Sequence, residues 1–143
     1  MARASHLEEN SGVSGHKKKV EKITAARTLG NGDSGKVFML DSAGGAYSIT
    51  LPTASSGEEG VYYKFIVEEE TPTGAITLAA GSAIVSFVGL DVSGTAASTA
   101  GTQVSNIIIG TSAEKADCVE LMFTNGEYVG SVLSGINGSI TTS

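Results

Sequence analysis

Short apolar runs, separated by turn-forming residues, fill this chain from residue 36 onward. Runs of this length are typical of β-strands, and turns spaced about 8 to 12 residues apart are typical of an all-β domain. In Tyr47–Leu51 apolar residues alternate with hydroxyl residues, which predicts one buried and one solvent-facing side. The predicted strands are Lys36–Leu40, Ala46–Leu51, Tyr62–Glu69, Ala75–Ala79, Ser82–Val88, Thr102–Ile109, Asp117–Thr124 and Glu127–Leu133.

Turn signals separate these strands. Gly44 and Gly45 can supply positive φ between the first two, and Pro52 ends the second because it cannot donate to a ladder. Asn125-Gly126 predicts a two-residue hairpin. The fold class predicted is therefore a small all-β domain over residues 23–134, built as a β-sandwich, a jelly-roll-like fold or a barrel. Residues 1–22 are predicted to form a flexible, extended N-terminal arm and residues 135–143 a C-terminal tail.

The composition predicts a thin core. Aromatic residues make up 6% of the chain and Trp is absent, so the core is expected to consist of Ile, Val, Leu and Ala. The single cysteine, Cys118, cannot form an internal disulfide and is expected to be buried as a small hydrophobe. Association with identical copies is then the expected way to bury further apolar surface.

Charge is distributed unevenly. Residues 1–22 carry five basic and three acidic residues, whereas the remainder carries four basic and twelve acidic residues. Such an acidic body argues against nucleic-acid binding, which needs Lys and Arg on the binding face. The candidate partner-binding residues are Lys17, Lys18, Lys19 and Lys22; the alternative interpretation is a solvated charge run.

The sequence predicts neither a membrane span nor a secretory leader, and so favours synthesis in the cytoplasm. No run approaches the length of about 18 apolar residues that a spanning helix needs. Asn137-Gly-Ser139 matches a glycosylation acceptor, but without a leader we interpret the match as accidental.

Two glycine-rich motifs overlap at one turn. Gly30–Lys36 matches the first part of a phosphate-binding loop, but Val37 stands where a magnesium-binding Ser or Thr is needed. Gly32–Gly35 is similar to the tetrapeptide around a serine-protease nucleophile, but the only histidines, His6 and His16, lie in the predicted arm. We interpret the segment as a turn that binds no nucleotide and carries out no hydrolysis.

The acidic residues do not predict a metal site. Glu68, Glu69 and Glu70 are consecutive, and neighbouring residues of a strand point to opposite faces. The sequence therefore predicts no catalytic, cofactor-binding or metal-binding residues, and favours a structural protein over an enzyme.

Several strand motifs occur in an order that resembles a β-module of tailed-bacteriophage virion proteins. The likeness spans about residues 23–134 and is greatest to capsid decoration (cement) proteins. Similar modules often have Trp where this chain has Glu127-Tyr128. The motifs that carry the resemblance are Asp33-Ser-Gly-Lys-x-Phe-x-Leu40, Ile49-Thr-Leu-Pro52, Tyr63-Lys-Phe-Ile-Val67, Ala75-Ile-Thr-Leu78 and Leu121-Met-Phe-Thr-Asn-Gly-Glu-Tyr-Val129.

This resemblance implies a homotrimer on the capsid surface of the virion, synthesised in the host cytoplasm, with itself and the major capsid protein as partners. The acidic body and the lack of a long apolar run predict no nucleic-acid partner and no membrane partner. The alternative function is a tail-fibre or appendage module that contacts a host glycan or another tail protein. Tyr47, Tyr62 and Tyr128 are the aromatic residues considered for that site.

Overall fold

The computed structural model describes residues 17–81, 85–90, 104–135 and 139–143, and of residues 85–90 it describes the backbone. Residues 1–16 with His6 and His16, the loop 93–101 and Asn137 lie outside these ranges. The described strands are β1 (Val20–Ile23), β2 (Arg27–Thr28), β3 (Val37–Leu40), β4 (Tyr47–Thr50), β5 (Tyr62–Val67), β6 (Ile76–Ala79), β7 (Val85–Leu90), β8 (Asn106–Ile109), β9 (Cys118–Thr124), β10 (Glu127–Leu133) and β11 (Ile140–Thr142).

The strands form two mixed sheets that pack as a sandwich. Sheet A has the order β1-β3-β5-β9-β10-β7, and sheet B has the order β11-β8-β6-β4-β2. The predicted all-β class and the sandwich are confirmed, and the two sheets do not close into a barrel.

The first six strands alternate between the sheets. β1, β3 and β5 pair in parallel in sheet A, while β2, β4 and β6 pair in parallel in sheet B. The chain therefore winds around the core in three coils, each adding one strand to each sheet. This parallel winding differs from the antiparallel Greek keys of a jelly roll.

The later strands add antiparallel pairs. β9 pairs with β5 and forms a hairpin with β10, while β8 joins β6 and β11 joins β8. β7 lies at the far edge of sheet A, parallel to β10. Asn125 and Gly126 have φ of 52° and 82°, so the hairpin turn predicted from that dipeptide is confirmed.

Alternate residues of each strand enter the core. In β5 the residues Tyr63, Phe65 and Val67 are buried between the sheets, and the residues between them point outward, as the sequence pattern predicts. The same period is present in β6, β8 and β9. The period therefore decides which side chains remain on the outer faces.

Aromatic residues are central to the core, and the prediction of an aliphatic core was wrong in this respect. The Phe38 and Phe65 rings stack with centroids 5.5 Å apart, and Phe123 meets Tyr128 edge-on at 5.1 Å. Tyr63 is also fully buried and lies against both rings of the first pair. Aromatic residues are few, but they are concentrated where the two sheets face each other, and each buries a large area.

The folded unit extends beyond the predicted boundaries at residues 23 and 134. Val20–Ile23 is strand β1, so the predicted arm contributes three residues to sheet A. Ile140, in the predicted tail, is buried in strand β11. Both segments are short and mostly polar, so their apolar pattern is too sparse to reveal them, and pairing with longer strands holds them in place.

Gly130 lies where two backbones approach closely. Its inward side faces the carbonyl oxygen of Glu120 on β9, and a Cβ at this position would lie 1.8 Å from that oxygen. A Cβ at Gly32 would meet nothing within 4 Å. The two glycines therefore provide a test site and a matched control.

We expect Gly130→Ala to lower the free energy of unfolding by about 3 kcal/mol, because the β9–β10 ladder must separate to admit the methyl group. Gly32→Ala is expected to change it by less than about 0.5 kcal/mol. Urea unfolding followed by circular dichroism measures both. Equal stabilities for the two variants would contradict the close approach seen at β9–β10.

Candidate functional site

The outer side of sheet A carries an unusual number of apolar residues for a surface. Val20, Met122 and Leu133 are 61%, 42% and 58% exposed. The other apolar members are partly exposed, and strand alternation places them on the same side. We call this surface the apolar face; its residues are Val20, Lys22, Val37, Met39, Tyr62, Lys64, Ile66, Cys118, Glu120, Met122, Val129, Ser131 and Leu133.

The strand register aligns these side chains in rows. Ile66 stands opposite Met39 on one neighbour and opposite Cys118 on the other, and Cys118 stands opposite Leu133. In another row, Met122 lies between Tyr62 and Val129. Side chains directly opposite on adjacent strands are in contact range. The face therefore carries two apolar rows, one across β3, β5, β9 and β10 and the other across β5, β9 and β10.

One ion pair lies in the middle of this surface. The Lys64 ammonium is 2.6 Å from the Glu120 carboxylate on the neighbouring strand, and both side chains are about one-third exposed. Their hydrogen bond lowers the pKa of Glu120 and raises that of Lys64. Burial, and then the Glu120 charge, raise the pKa of Tyr62. The row between the two apolar rows therefore carries one positive and one negative side chain, and this pair has no net charge.

The outer side of sheet B is different in chemistry. Thr28, Thr50 and Ser48 are exposed there, and Thr77 lies beside Ser48 on the next strand. Two aliphatic residues, Ala79 and Ile108, are interspersed. We call this surface the hydroxyl face; its residues are Thr28, Ser48, Thr50, Thr77, Ala79, Asn106, Ile108 and Thr141. A solvated sheet face is expected to be polar, so sheet B follows the rule and sheet A departs from it.

The predicted basic cluster is divided by the fold. Lys17, Lys18 and Lys19 are exposed and line a concavity of about 630 Å³ beside the turn Gly32–Lys36. Lys22 lies apart from them on the apolar face. Its ammonium is 2.6 Å from the Asp41 carboxylate and 3.0 Å from that of Glu68. Carboxylates that directly follow β3 and β5 therefore neutralise Lys22, and the unneutralised part of the predicted cluster is Lys17–Lys19.

The glycine-rich turn uses its own donors within the fold. The backbone N–H groups of residues 33, 34 and 36 donate to carbonyls of the same turn, and that of Gly35 donates to Tyr62 O at 2.8 Å. The Ser34 hydroxyl accepts from the Tyr62 N–H. A phosphate loop needs backbone N–H groups that point freely at the ligand. In this turn the N–H groups of residues 33 to 36 are already engaged within the fold, which is consistent with a structural role.

Four charged side chains join the turn to the first coil. The carboxylates of Glu21 and Asp33 each bind both the Arg27 guanidinium and the Lys36 ammonium. The guanidinium also lies 5.6 Å from the centroid of the Phe38 ring. Lys36, the residue that would contact a phosphate in a nucleotide-binding loop, is thus held by two carboxylates. The network connects β1, β2, the turn and β3 at the start of the winding.

The network shifts the pKa of its acids. The hydrogen bond from Arg27, and then that from Lys36, hold the pKa of Glu21 below its ordinary value. Burial pushes the pKa of Asp33 upward, but hydrogen bonds from Lys36 and the Gly30 N–H outweigh it, and the net shift is downward. Both acids are therefore stabilised in their charged form by folding.

The acidic candidates do not assemble a metal site. Among the described residues, no three His, Cys, Asp or Glu side chains converge in a way that could hold an ion. The Ser42 hydroxyl donates to Glu69 at 3.2 Å and accepts from the Gly74 N–H at 3.1 Å. These contacts tie the acidic loop to the turn before β4, and the loop is part of the framework.

Asp117 has a structural position that the sequence did not reveal. Its buried carboxylate accepts from the N–H groups of Glu114 and Gly135 and from the Ser134 hydroxyl, at 3.0, 2.7 and 2.9 Å. The Ser139 hydroxyl lies at 3.4 Å from the same group. Asp117 therefore holds the start of β9 against the chain that leaves β10 and enters β11.

The three tyrosines considered for glycan binding lie in different places. Tyr128 is fully buried and donates to Pro52 O at 2.9 Å, so it cannot contact a ligand. Tyr47 is partly buried, donates to Ile23 O at 2.9 Å, and has a pKa that burial raises to about 12. Tyr62 belongs to the apolar face. The structure does not bring them together.

Cys118 lies on the apolar face, so the prediction of a buried thiol was wrong. It is partly exposed between Ile66 and Leu133, and burial of its remaining surface raises the pKa of the thiol. The apolar neighbours that made it look like a core residue belong to the opposite side of the strand.

No protein-family model matches the chain, and no curated protein matches it significantly. Within the described residues, no helix has the length and apolar character to cross a bilayer.

The Glu21–Arg27–Asp33–Lys36 network predicts a specific acid sensitivity. Because folding lowers the pKa of both acids, their stabilisation is complete above the unfolded value of about 4 and is lost as the pH falls through the folded value. We expect Asp33→Asn to be less stable than the wild type at pH 7 and to lose less stability between about pH 5 and pH 3. Urea midpoints at each pH measure this difference; parallel curves would contradict it.

Proposed function

We propose that this chain is a structural virion protein of a tailed bacteriophage, a capsid decoration (cement) protein that binds and stabilises the assembled head as a homotrimer. The ordered β motifs that resemble such proteins support the proposal. The observation that carries it furthest is the apolar face of sheet A, since a surface of this kind on a small domain is typical of a component that works in an assembly.

The two outer faces support a structural role in different ways. An apolar face offers contact area that gains free energy when water is removed, and a hydroxyl face remains compatible with solvent. A decoration protein needs both, because one side meets protein and the other remains on the outside of the particle. The same sandwich supplies them on opposite sides.

The basic concavity at Lys17–Lys19 is a second contact surface in this proposal. The three exposed lysines give one local positive region on a chain of net charge −6. Such a region attracts an acidic surface of the head at long range and orients the approaching protein. In this proposal the lysines guide docking on the capsid.

Mass spectrometry with copy counting tests the location. We expect hundreds of copies per particle in heads purified from the phage that encodes this chain, and none in separated tails. A count near ten or twenty, found in tails, would assign the chain to the alternative function as a tail-fibre or appendage module. Absence from both fractions would refute a virion function.

Charge removal tests the docking surface. We expect Lys17→Ser, Lys18→Ser and Lys19→Ser together to weaken binding to heads that lack the protein by about 10-fold at low salt, and by less at high salt, because exposed charges are screened. Lys115→Ser is the matched control, since Lys115 is exposed and belongs neither to the concavity nor to the apolar face. Co-sedimentation with heads measures both; equal losses would contradict the assignment.

A further inference from the structure

The apolar face has a size suited to a protein–protein contact. The face covers five strands of sheet A, and five strands about 4.8 Å apart with a length of about 20 Å give a flat area of roughly 500 Å². Projecting side chains make the accessible area larger than this projection. Specific interfaces bury roughly 600 to 1,000 Å² on each partner. One sheet face is thus enough for a contact of ordinary size.

The charges on this face restrict which partner it fits. Lys64 is paired with Glu120, and Lys22 is paired with Asp41 and Glu68. The centre of the face thus has no excess of either sign to attract an oppositely charged protein. It has one cation and one anion side by side, flanked by apolar rows. In a closed ring of identical copies, the cation of each face can meet the anion of the next copy, and its anion the cation of the copy before it.

The rest of the molecule argues that this pattern is specific. The hydroxyl face is built on the same two-residue period and the same kind of strand, yet carries Thr, Ser and Asn at most outward positions. An apolar outward position is therefore not a requirement of the sandwich. Aliphatic rows on a sheet pack against the rows of other sheets, as they do within domains.

We propose that the apolar face is the contact surface between identical copies of this chain. The inference deepens the proposed function and rests on it, because it states which surface makes the virion component an oligomer. Met122 and Leu133 pack against the apolar rows of a neighbour, and Lys64 of one copy meets Glu120 of the next. The basic concavity and the hydroxyl face stay outside this contact.

Substitution on the two faces provides the first test. We expect Met122→Glu to weaken self-association by about 100-fold or more, since an unpaired carboxylate would lose its water in the contact. Thr50→Glu, the same kind of change on the hydroxyl face, is expected to leave self-association unchanged. Sedimentation velocity over a range of concentrations measures the oligomer, and circular dichroism with urea unfolding checks that each variant is folded.

Complementary charge reversal provides a sharper test. Lys64→Glu gives a face with two anions, and Glu120→Lys gives a face with two cations. We expect each variant alone to remain monomeric and the double variant, with Lys64→Glu and Glu120→Lys in one chain, to assemble again, because every contact between copies then pairs an anion with a cation. Partly exposed ion pairs contribute little to the free energy of unfolding, so both variants are expected to fold. A double variant that is folded but remains monomeric would contradict contact through this pair.

Cys118 is a native probe on the face, in the row of Ile66 and Leu133. We expect its alkylation by iodoacetamide to slow as the wild-type protein is concentrated and to become faster on dilution. Met122→Glu is expected to react at the fast rate throughout. A wild-type rate that does not change with concentration, together with a monomer in sedimentation, would overturn the inference.

The outcomes separate this inference from the function. A chain that associates through the apolar face but is absent from purified particles would refute the virion function and leave the contact standing. A chain found on heads, but monomeric and protected at Cys118 only when heads are added, would assign the face to the capsid protein. That result would overturn the inference and leave the virion function intact.

Discussion

The burial of alternate side chains between two sheets is the constraint on which this structure depends. The chain changes sheet after each of the first six strands, so neither sheet can grow unless the other grows with it. The stacked pair Phe38 and Phe65 lies on neighbouring strands of one sheet, and the Tyr63 ring contacts both of them. Contacts between residues far apart in the sequence cost conformational entropy, because the chain between them must close into a loop. They stabilise the fold only when several coils are present. The core and the winding must therefore form together.

The same constraint separates folding from function along every strand. Inward positions are fixed by packing, because a core at native density tolerates little change in volume. Outward positions are not needed for the sandwich, so their chemistry reports what surrounds the molecule. Sheet B carries hydroxyls there and sheet A carries aliphatic residues. The difference between the two outer faces is thus better information about partners than the total hydrophobicity of the chain.

The sequence predicts strands well where an apolar period is strong. The alternation in Tyr62–Val67 and the Asn125-Gly126 turn lead directly to β5 and to the β9–β10 hairpin. Period alone does not say which strand is the neighbour or in which direction it runs, so the parallel winding was not predictable. β1 and β11 were missed because they are short and contain two and one apolar residues, and pairing with β3 and β8 holds them in place.

The candidate site was less predictable than the fold, for a related reason. Lys22 follows Lys17–Lys19 closely in the sequence, but strand β1 turns it onto the apolar face, where Asp41 and Glu68 neutralise it. The turn at Gly30–Lys36 has the residue types of a phosphate loop because tight turns also need Gly, Asp and Ser. What distinguishes the two is whether the N–H donors are already engaged, and a sequence motif does not contain that information. Which groups of this chain can bind a partner is thus decided by which of them the fold leaves without an internal partner.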